Sequence, residues 1–220
     1  MQISISTPVV NLKSKNGYGY ATKNIAESLN RLGHTTPFQF AKAPVQLNFS
    51  QPEFYKMHRN QYQISYTPWE STVIPEIWKE NLNHCDEIWT TSDWCANVFE
   101  DNGFKVDMVY PHGIDPMWIP KKREDDGVIR FLHLGEPAPR KAGQTVVDAF
   151  IYLFGHDPQY QLTIKAHNHN TTRIFNNFID RNIIGLPDQL YKNITINTDV
   201  LDDEELVRLY HDHDVLVYPS

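Results

Sequence analysis

The sequence predicts an α/β protein whose parallel sheets are doubly wound. Short apolar runs of strand length alternate with segments whose apolar residues recur at helical spacing. Strands joined by helices must run parallel, and such crossovers place helices against the sheet. A charged stretch from Pro120 to Gly127 has no apolar periodicity, which indicates a linker between domains. We therefore expect a first domain at residues 1–122 and a second at residues 123–220.

The composition limits the class of protein. The chain has 220 residues, of which 40% are hydrophobic and 21% charged, as is typical of globular proteins. A net charge of -7 argues against nonspecific binding to nucleic acid or to an anionic membrane. Two cysteines, Cys85 and Cys95, match no metal-ligand spacing and suit a reduced, cytoplasmic protein. No signal peptide or membrane-spanning run is visible, so we expect a cytoplasmic location without a membrane span.

The first domain opens with a strand, "QISIST", and a helix follows between Gly19 and Gly33. Gly33 stands where a C-terminal cap belongs. The apolar face of this helix consists of Ala21, Ile25, Leu29 and Leu32. The stretches "QISYTPWES", "DEIWTTS" and "VDMVYPHGID" each predict a short strand followed by a polar loop.

The second domain alternates more regularly. The predicted strands are "VIRFLHLG", "YQLTIKAH", "NITINTDV" and "DVLVYP". The predicted helices between them are "GQTVVDAFIYLF", "TTRIFNNFIDRN" and "DDEELVRLYHDH". Asp202 and Glu205 have the spacing of a capping box at the start of the last helix.

Three stretches are candidates for chemistry. In "NGYGYA", Gly17 and Gly19 flank Tyr18 between a strand and a helix N-terminus, where backbone N–H groups can receive an anion. The alternative is a flexible turn. In "YPHGIDPMWIP", His112 follows a strand at its carboxyl end, where open α/β sheets bind ligands. The alternative is a turn built by Gly113.

The third candidate is "HLGEPAPRKAGQTVVDAF". A strand ends at Gly135, a loop with two prolines presents Arg140 and Lys141, and a helix begins near Gly143. Two cations beside a helix N-terminus suit a diphosphate leaving group, because negative charge develops on it as the bond breaks. The alternative is a solvated basic pair on a loop.

Five stretches, in order, resemble the retaining glycosyltransferases of family 4, the glycosyl transferases group 1 type. They are "GYGYATKNIAESLNRLGH", "DEIWTTSDWCANVFEDNGF", "VYPHGIDPMWIP", "FLHLGEPAPRKAGQTVVDAF" and "DDEELVRLYHDHDVLVYPS". The resemblance implies the GT-B fold, with two Rossmann-like domains: an acceptor-side domain and, after it, a donor domain. In the family, the loop after the last strand leads to an acidic motif that this sequence lacks. The resemblance therefore implies an incomplete second domain, truncated before that motif.

The resemblance also implies roles for single residues. Lys141 matches the lysine that contacts the donor diphosphate, and the adjacent Arg140 can supply a second cation. Glu136 stands where the family has an arginine, and Ala142 where it has a glycine. The remaining donor-side candidates are Gly17, Tyr18, Gly19 and Gly135.

The first-domain histidine of the family has no counterpart in "SYTPWESTVIP". Trp69 and Glu70 from that stretch, together with His112, are candidates for the sugar or acceptor cleft, although Trp69 could equally belong to the core.

The activity implied is transfer of a sugar from a nucleotide-sugar donor to a sugar, lipid or protein acceptor with retention. No further cofactor is implied. The alternative is an inactive Rossmann-fold binding module or gene fragment. A nicotinamide-dependent oxidoreductase is disfavoured, because the first glycine loop lacks the full G-x-G-x-x-G run.

A metal site is also disfavoured. His167 and His169 form one histidine pair, and His211 and His213 form another. Neither pair has a third ligand at a suitable spacing.

Overall fold

Two parallel sheets form the framework of the protein, one in each half of the chain. The computed structural model describes residues 1–7, 17–39, 42–135, 138–155, 157–166 and 192–219. Contacts divide the chain into two units, Met1–Gly113 and Ile114–Ser220. The boundary between acceptor-side and donor domains at residues 122 and 123 stays a prediction.

In the residues that the structure describes, the first unit contains five strands and three α-helices. In chain order they are β1 (Ile3–Ser6), α1 (Gly17–Arg31), β2 (Val45–Asn48), β3 (Tyr62–Tyr66), α2 (Glu76–Asn83), β4 (Glu87–Thr90), α3 (Asp93–Asp101) and β5 (Met108–Val109). The strands lie in the order β1-β2-β3-β4-β5, and all neighbours are parallel.

The chain reverses its direction across this sheet beside β1. After α1 it forms isolated parallel bridges with β1, at Thr35 and Phe38, and β2 then pairs with β1. Ile3 and Ile5 donate to the carbonyls of Thr35 and Pro37, whereas Ser6 accepts from Phe49 after β2, so the two segments flank β1 on opposite sides. Such a reversal is a topological switch point, where doubly wound sheets open a crevice at the carboxyl ends of their strands.

Helix α1 covers one face of the first sheet. It packs its apolar stripe on a core cluster made by Ile3, Leu47, Phe49, Ile64 and Tyr66. Gly33 has a φ of 84° and follows the helix as predicted, because glycine adopts the left-handed conformation without steric cost. Leu32, predicted on the buried face, is instead 74% exposed and directly follows the last helical residue, Arg31.

The other face of β2 and β3 is polar yet buried. Gln46 and Asn48 are fully buried. Gln46 Nε2 donates to Asn48 Oδ1 at 2.8 Å, and Asn48 Nδ2 donates to Gln63 Oε1 at 3.0 Å. Gln46 also donates to the carbonyl of Lys56, and Gln63 to that of His58. Irregular backbone from the loop after β2 therefore covers this face, and the strand side chains satisfy its carbonyl groups.

The second unit contains four described strands and two described α-helices. They are β6 (Ile129–Leu134), α4 (Gly143–Phe154), β7 (Tyr160–Lys165), β8 (Ile194–Asn197), α5 (Asp203–His211) and β9 (Val215–Leu216). The helix predicted at residues 171–182 lies outside the described residues. The parallel order β8-β7-β6-β9 places a second switch point between β6 and β9.

Helix α4 builds the core of the second unit. Its Val146, Val147 and Phe150 are buried against Leu162 and Ile164 of β7. Each such side chain contributes about 1.5–3 kcal/mol when it leaves water. The predicted capping box also forms: Asp202 accepts from the backbone N–H of Glu205 at 2.8 Å, and Glu205 accepts from that of Asp202 at 2.8 Å.

The predicted α/β class with parallel sheets is thus confirmed. In the described part of the chain, no helix combines the length and the apolar character required to cross a membrane.

Candidate functional site

Lys141 lies at the switch point of the second sheet. It belongs to the loop after β6, and its ammonium group donates a hydrogen bond to the hydroxyl of Tyr218, which follows β9. The same Nζ atom lies 4.4 Å from the centroid of the Tyr218 ring, within the range of a cation–π contact. The contact therefore joins the loops that follow the two strands on either side of the reversal.

The stem of Lys141 rests on Gly135. A Cβ atom added to Gly135 would lie 3.3 Å from both Cβ and Cγ of Lys141, which is closer than ordinary packing allows. Gly135 itself is held in the sheet, since its N–H donates to the carbonyl of Lys165 at 3.0 Å. The glycine at the end of β6 thus leaves the space through which the lysine side chain passes.

Ala142 connects this loop to α4 in an unusual backbone conformation. Its φ of 50° and ψ of 28° fall in the left-handed region, which glycine prefers. This is the position where the resembled family has glycine. No described side chain caps the start of α4, so its first N–H groups and the positive end of its dipole face the region beside Lys141.

Two other predicted donor-side residues, Arg140 and Glu136, belong to this loop. Arg140 is adjacent to Lys141 and exposed. Glu136 lies outside the described residues.

The first unit brings its own predicted residues to the switch point beside β1. Gly17, Tyr18 and Gly19 form the first turn of α1, so the helix begins two residues earlier than predicted. A Cβ atom added to Gly17 would meet nothing within 4 Å. Thr22 of the same helix donates to the backbone carbonyl of Tyr18 at 2.7 Å and lies 3.4 Å from the hydroxyl of Thr7, just after β1.

An aromatic cluster lines the carboxyl ends of β2 and β3. The ring of Phe49 lies 5.4 Å from that of Tyr18, 5.3 Å from that of Tyr66 and 5.7 Å from that of His112. The last contact is edge-to-face, with an interplanar angle of 86°. The cluster therefore joins two of the predicted site residues, Tyr18 and His112, which are far apart in the sequence.

Burial governs the ionisation of this cluster. It raises the pKa of Tyr66 to about 12 and lowers the pKa of His112 below its ordinary value. Burial also raises the pKa of Tyr18, an effect that a hydrogen bond with Thr67 partly offsets and that the charge of Glu70 reinforces. Neutral forms are thus favoured throughout the cluster near pH 7.

Trp69 and Glu70, the remaining first-domain candidates, have different environments. Trp69 packs on Trp78 with ring centroids 4.4 Å apart, and its Nε1 donates to the carbonyl of Val73 at 2.9 Å. These contacts belong to a hydrophobic cluster, which favours the core interpretation of Trp69. Glu70 is exposed at the carboxyl edge, near enough to Tyr18 to influence its pKa.

The histidine pairs give no support to a metal site. His167 and His169 lie outside the described residues. His211 hydrogen-bonds to the carbonyl of Ile119 at 3.0 Å, and His213 to that of Leu209 at 2.6 Å. Within the described ranges, no three His, Cys, Asp or Glu side chains are grouped as metal ligands would be.

Sequence reasoning missed Tyr218, Phe49 and Tyr66 as neighbours of the candidates. Each of them ends or follows a strand beside a predicted site residue. A position at a strand end could have indicated these residues, but only if the order of the strands in the sheet had been known.

The fold has counterparts among solved structures. Sucrose-phosphate synthase from Thermosynechococcus elongatus matches with a TM-score of 0.71 and 13% identity, over 100% of this chain and 75% of that chain. The trehalose-6-phosphate synthase OtsA matches with a TM-score of 0.57 and 13% identity, over 92% of this chain and 55% of that one. TarM matches with a TM-score of 0.56 and 10% identity, over 79% of this chain and 36% of that one.

These likenesses confirm the predicted fold class of two Rossmann-like units of the GT-B type. One of the matching structures is a S. aureus TarM mutant in complex with UDP, and another is an E. coli protein bound with UDP-2-fluoro glucose. The chain spans about half of OtsA and about a third of TarM. No protein-family model and no curated protein sequence matches it.

Proposed function

We propose that the protein is a retaining glycosyltransferase of family 4 that moves a sugar from a nucleotide-sugar donor to an acceptor. The observation that carries this proposal is the position of Lys141. Its ammonium group lies at the switch point between β6 and β9, beside the start of α4, which no described side chain caps. A cation and the backbone N–H groups of a helix N-terminus at that place suit a diphosphate.

The chemistry proposed for the second unit is stabilisation of the leaving group. As the bond between sugar and diphosphate breaks, negative charge grows on the diphosphate oxygens, and Lys141 and Arg140 would offset it. The N–H groups of Gly143 and its neighbours would add hydrogen bonds without any reorganisation during the reaction. The sugar would pass through an oxocarbenium-like state, as in glycoside hydrolysis.

The donor we propose is a UDP-sugar, because UDP and a UDP-sugar analogue are the ligands named in two structures of the same fold. We assign the acceptor, a sugar, lipid or protein, to the first unit. Within its aromatic cluster Phe49 and Tyr66 are buried, whereas the half-buried Tyr18 and the exposed His112 present ring surfaces that suit the C–H and O–H groups of a sugar. His112 and Glu70 would accept hydrogen bonds from hydroxyl groups there.

Calorimetric titration with UDP tests the donor site. We expect the unaltered chain to bind UDP and Lys141→Ala to bind at least about tenfold more weakly, a loss of about 1.4 kcal/mol. The matched control is Lys79→Ala on α2, a lysine that pairs with Glu76 on the helix surface. It should keep the affinity of the unaltered chain. Equal affinities for the two lysine variants would refute the role of Lys141.

Release of UDP from a panel of UDP-sugars separates an enzyme from a binding module. Turnover that depends on Lys141 and retains the anomeric configuration in the product supports the proposal. Binding of UDP without turnover of any donor would favour the inactive Rossmann-fold module instead.

A further inference from the structure

We propose that Tyr218 is a positioning residue for the diphosphate site, and that it holds the ammonium group of Lys141 where the anion of a nucleoside diphosphate binds. This inference rests on the proposed function. It adds a residue from the loop after β9 to a site otherwise assigned to the loop after β6. The evidence is the double contact of Tyr218 with Lys141, through its hydroxyl and through its ring.

The direction of the hydrogen bond follows from the chemistry of the two groups. An ammonium group can only donate, so the hydroxyl oxygen of Tyr218 must accept from Lys141. The ring itself lies close to the same cation, whose Nζ is 4.4 Å from the centroid. Two contacts of different kinds on one head group restrict a side chain that otherwise samples many rotamers.

The stem of the lysine is restricted as well. Gly135 lies against its Cβ and Cγ atoms, so the side chain is guided at its base by one strand end and at its tip by another. A cation fixed in this way needs less ordering when an anion arrives, which strengthens binding without any additional contact to the ligand.

The backbone that carries Tyr218 is itself anchored. Val217 donates its N–H to the carbonyl of Leu132 at 2.8 Å. Its own carbonyl lies 2.9 Å from Nδ1 of His133, which is 1% exposed. A carbonyl can only accept, so this bond places the proton on Nδ1 of His133. Tyr218 therefore extends directly from a strand end that β6 holds through both backbone and side chain.

A double-mutant cycle tests the inference, with UDP as the probe and NMR titration to millimolar concentrations as the measurement. Tyr218→Leu removes both contacts and should weaken binding about tenfold. Tyr218→Phe keeps the ring and should weaken binding about threefold. In a Lys141→Ala background the same changes should each cost less than about twofold, because their effect acts through the lysine. The control is Tyr152→Leu, an 88% exposed tyrosine on α4, which should leave affinity unchanged.

A structural readout separates positioning from a general loss of stability. The ε-methylene protons of Lys141 should be shifted by the ring current of Tyr218, should remain shifted in Tyr218→Phe, and should return to ordinary values in Tyr218→Leu. Equal losses of affinity with and without Lys141, or ε-methylene shifts that do not change in Tyr218→Leu, would overturn the inference while leaving the proposed function in place. If the unaltered chain does not bind UDP, the proposed function fails and this inference fails with it.

Discussion

The hydroxyl of Tyr66 lies 3.3 Å from Nδ1 of His112 and donates to the carbonyl of Tyr110 at 2.7 Å. Because the carbonyl must accept, the only hydrogen of the Tyr66 hydroxyl is used there, and Nδ1 of His112 has to be the donor to Tyr66. The proton of neutral His112 is thereby placed on Nδ1, and Nε2 carries the lone pair. The imidazole is thus held as a hydrogen-bond acceptor at the carboxyl edge of the first sheet.

The first prediction concerns the titration of His112. Burial lowers the pKa of its imidazole, so the folded protein takes up this proton less readily than the unfolded chain. The neutral ring therefore contributes stability above the unfolded pKa of about 6.5, and that contribution is lost as the pH falls through the lower folded pKa. NMR titration of the ring protons, assigned with His112→Asn, measures the folded pKa. A value at or above that of a free histidine would contradict the prediction.

The second prediction concerns Ala142. Its left-handed backbone costs a residue with a Cβ about 1–2 kcal/mol, whereas glycine forfeits about 0.5–1 kcal/mol through its freedom in the unfolded chain. Ala142→Gly should therefore stabilise the protein by about 0.5–1 kcal/mol in urea unfolding. Ala149→Gly, in the interior of α4, is the control and should destabilise it by about 1 kcal/mol. Destabilisation by both changes would show that the left-handed strain at Ala142 is absent.

The third prediction concerns the space under Lys141. Gly135→Ala introduces a methyl group 3.3 Å from two carbons of the lysine stem, so the side chain must move by a few tenths of an ångström. We expect UDP affinity to fall about threefold or more, since small displacements of a fixed cation weaken its contacts. Gly113→Ala, whose added Cβ meets nothing within 4 Å, serves as the control in the same titration. Unchanged affinity in Gly135→Ala would mean that the stem adjusts without moving the head group.

The fourth prediction concerns the capping box that begins α5. Asp202→Ala removes the acceptor for the N–H of Glu205 and should destabilise the protein by about 1 kcal/mol. The helix leads directly into β9, so hydrogen exchange in β9 should accelerate together with that in α5. Glu204→Ala, an exposed change in the same first turn, should have a smaller effect. Equal effects of the two changes would argue against the cap.

The parts of the fold that sequence predicts best are those with local signals. Helices α4 and α5 follow from apolar spacing and, in α5, from the Asp202 cap. Strand β2 was missed because its polar residues Gln46 and Asn48 are as buried as its apolar ones. A central parallel strand is expected to be apolar on both faces, and only the hydrogen-bonding loop over β2 and β3 explains the exception.

The candidate site also has features that local sequence predicts and features that depend on the strand order. Lys141 stands in a recognisable stretch, and it lies in the segment between β6 and α4. Its contact with Tyr218 depends on β9 lying beside β6, and no local pattern in the sequence specifies that order. The sequence already marks Ala142 as standing where the resembled family has glycine, and the left-handed backbone there explains that preference.

The buried amides of β2 and β3 have a consequence for how the first unit can change over evolution. Surface loops usually vary freely in length, since their backbone is solvated. The loop after β2 instead offers the carbonyls of Lys56 and His58 to Gln46 and Gln63, so an insertion or deletion would leave amides in the interior without acceptors. This segment must therefore coevolve with β2 and β3. Changes in loop length are expected instead in neighbouring loops whose carbonyl groups are not bonded to buried side chains.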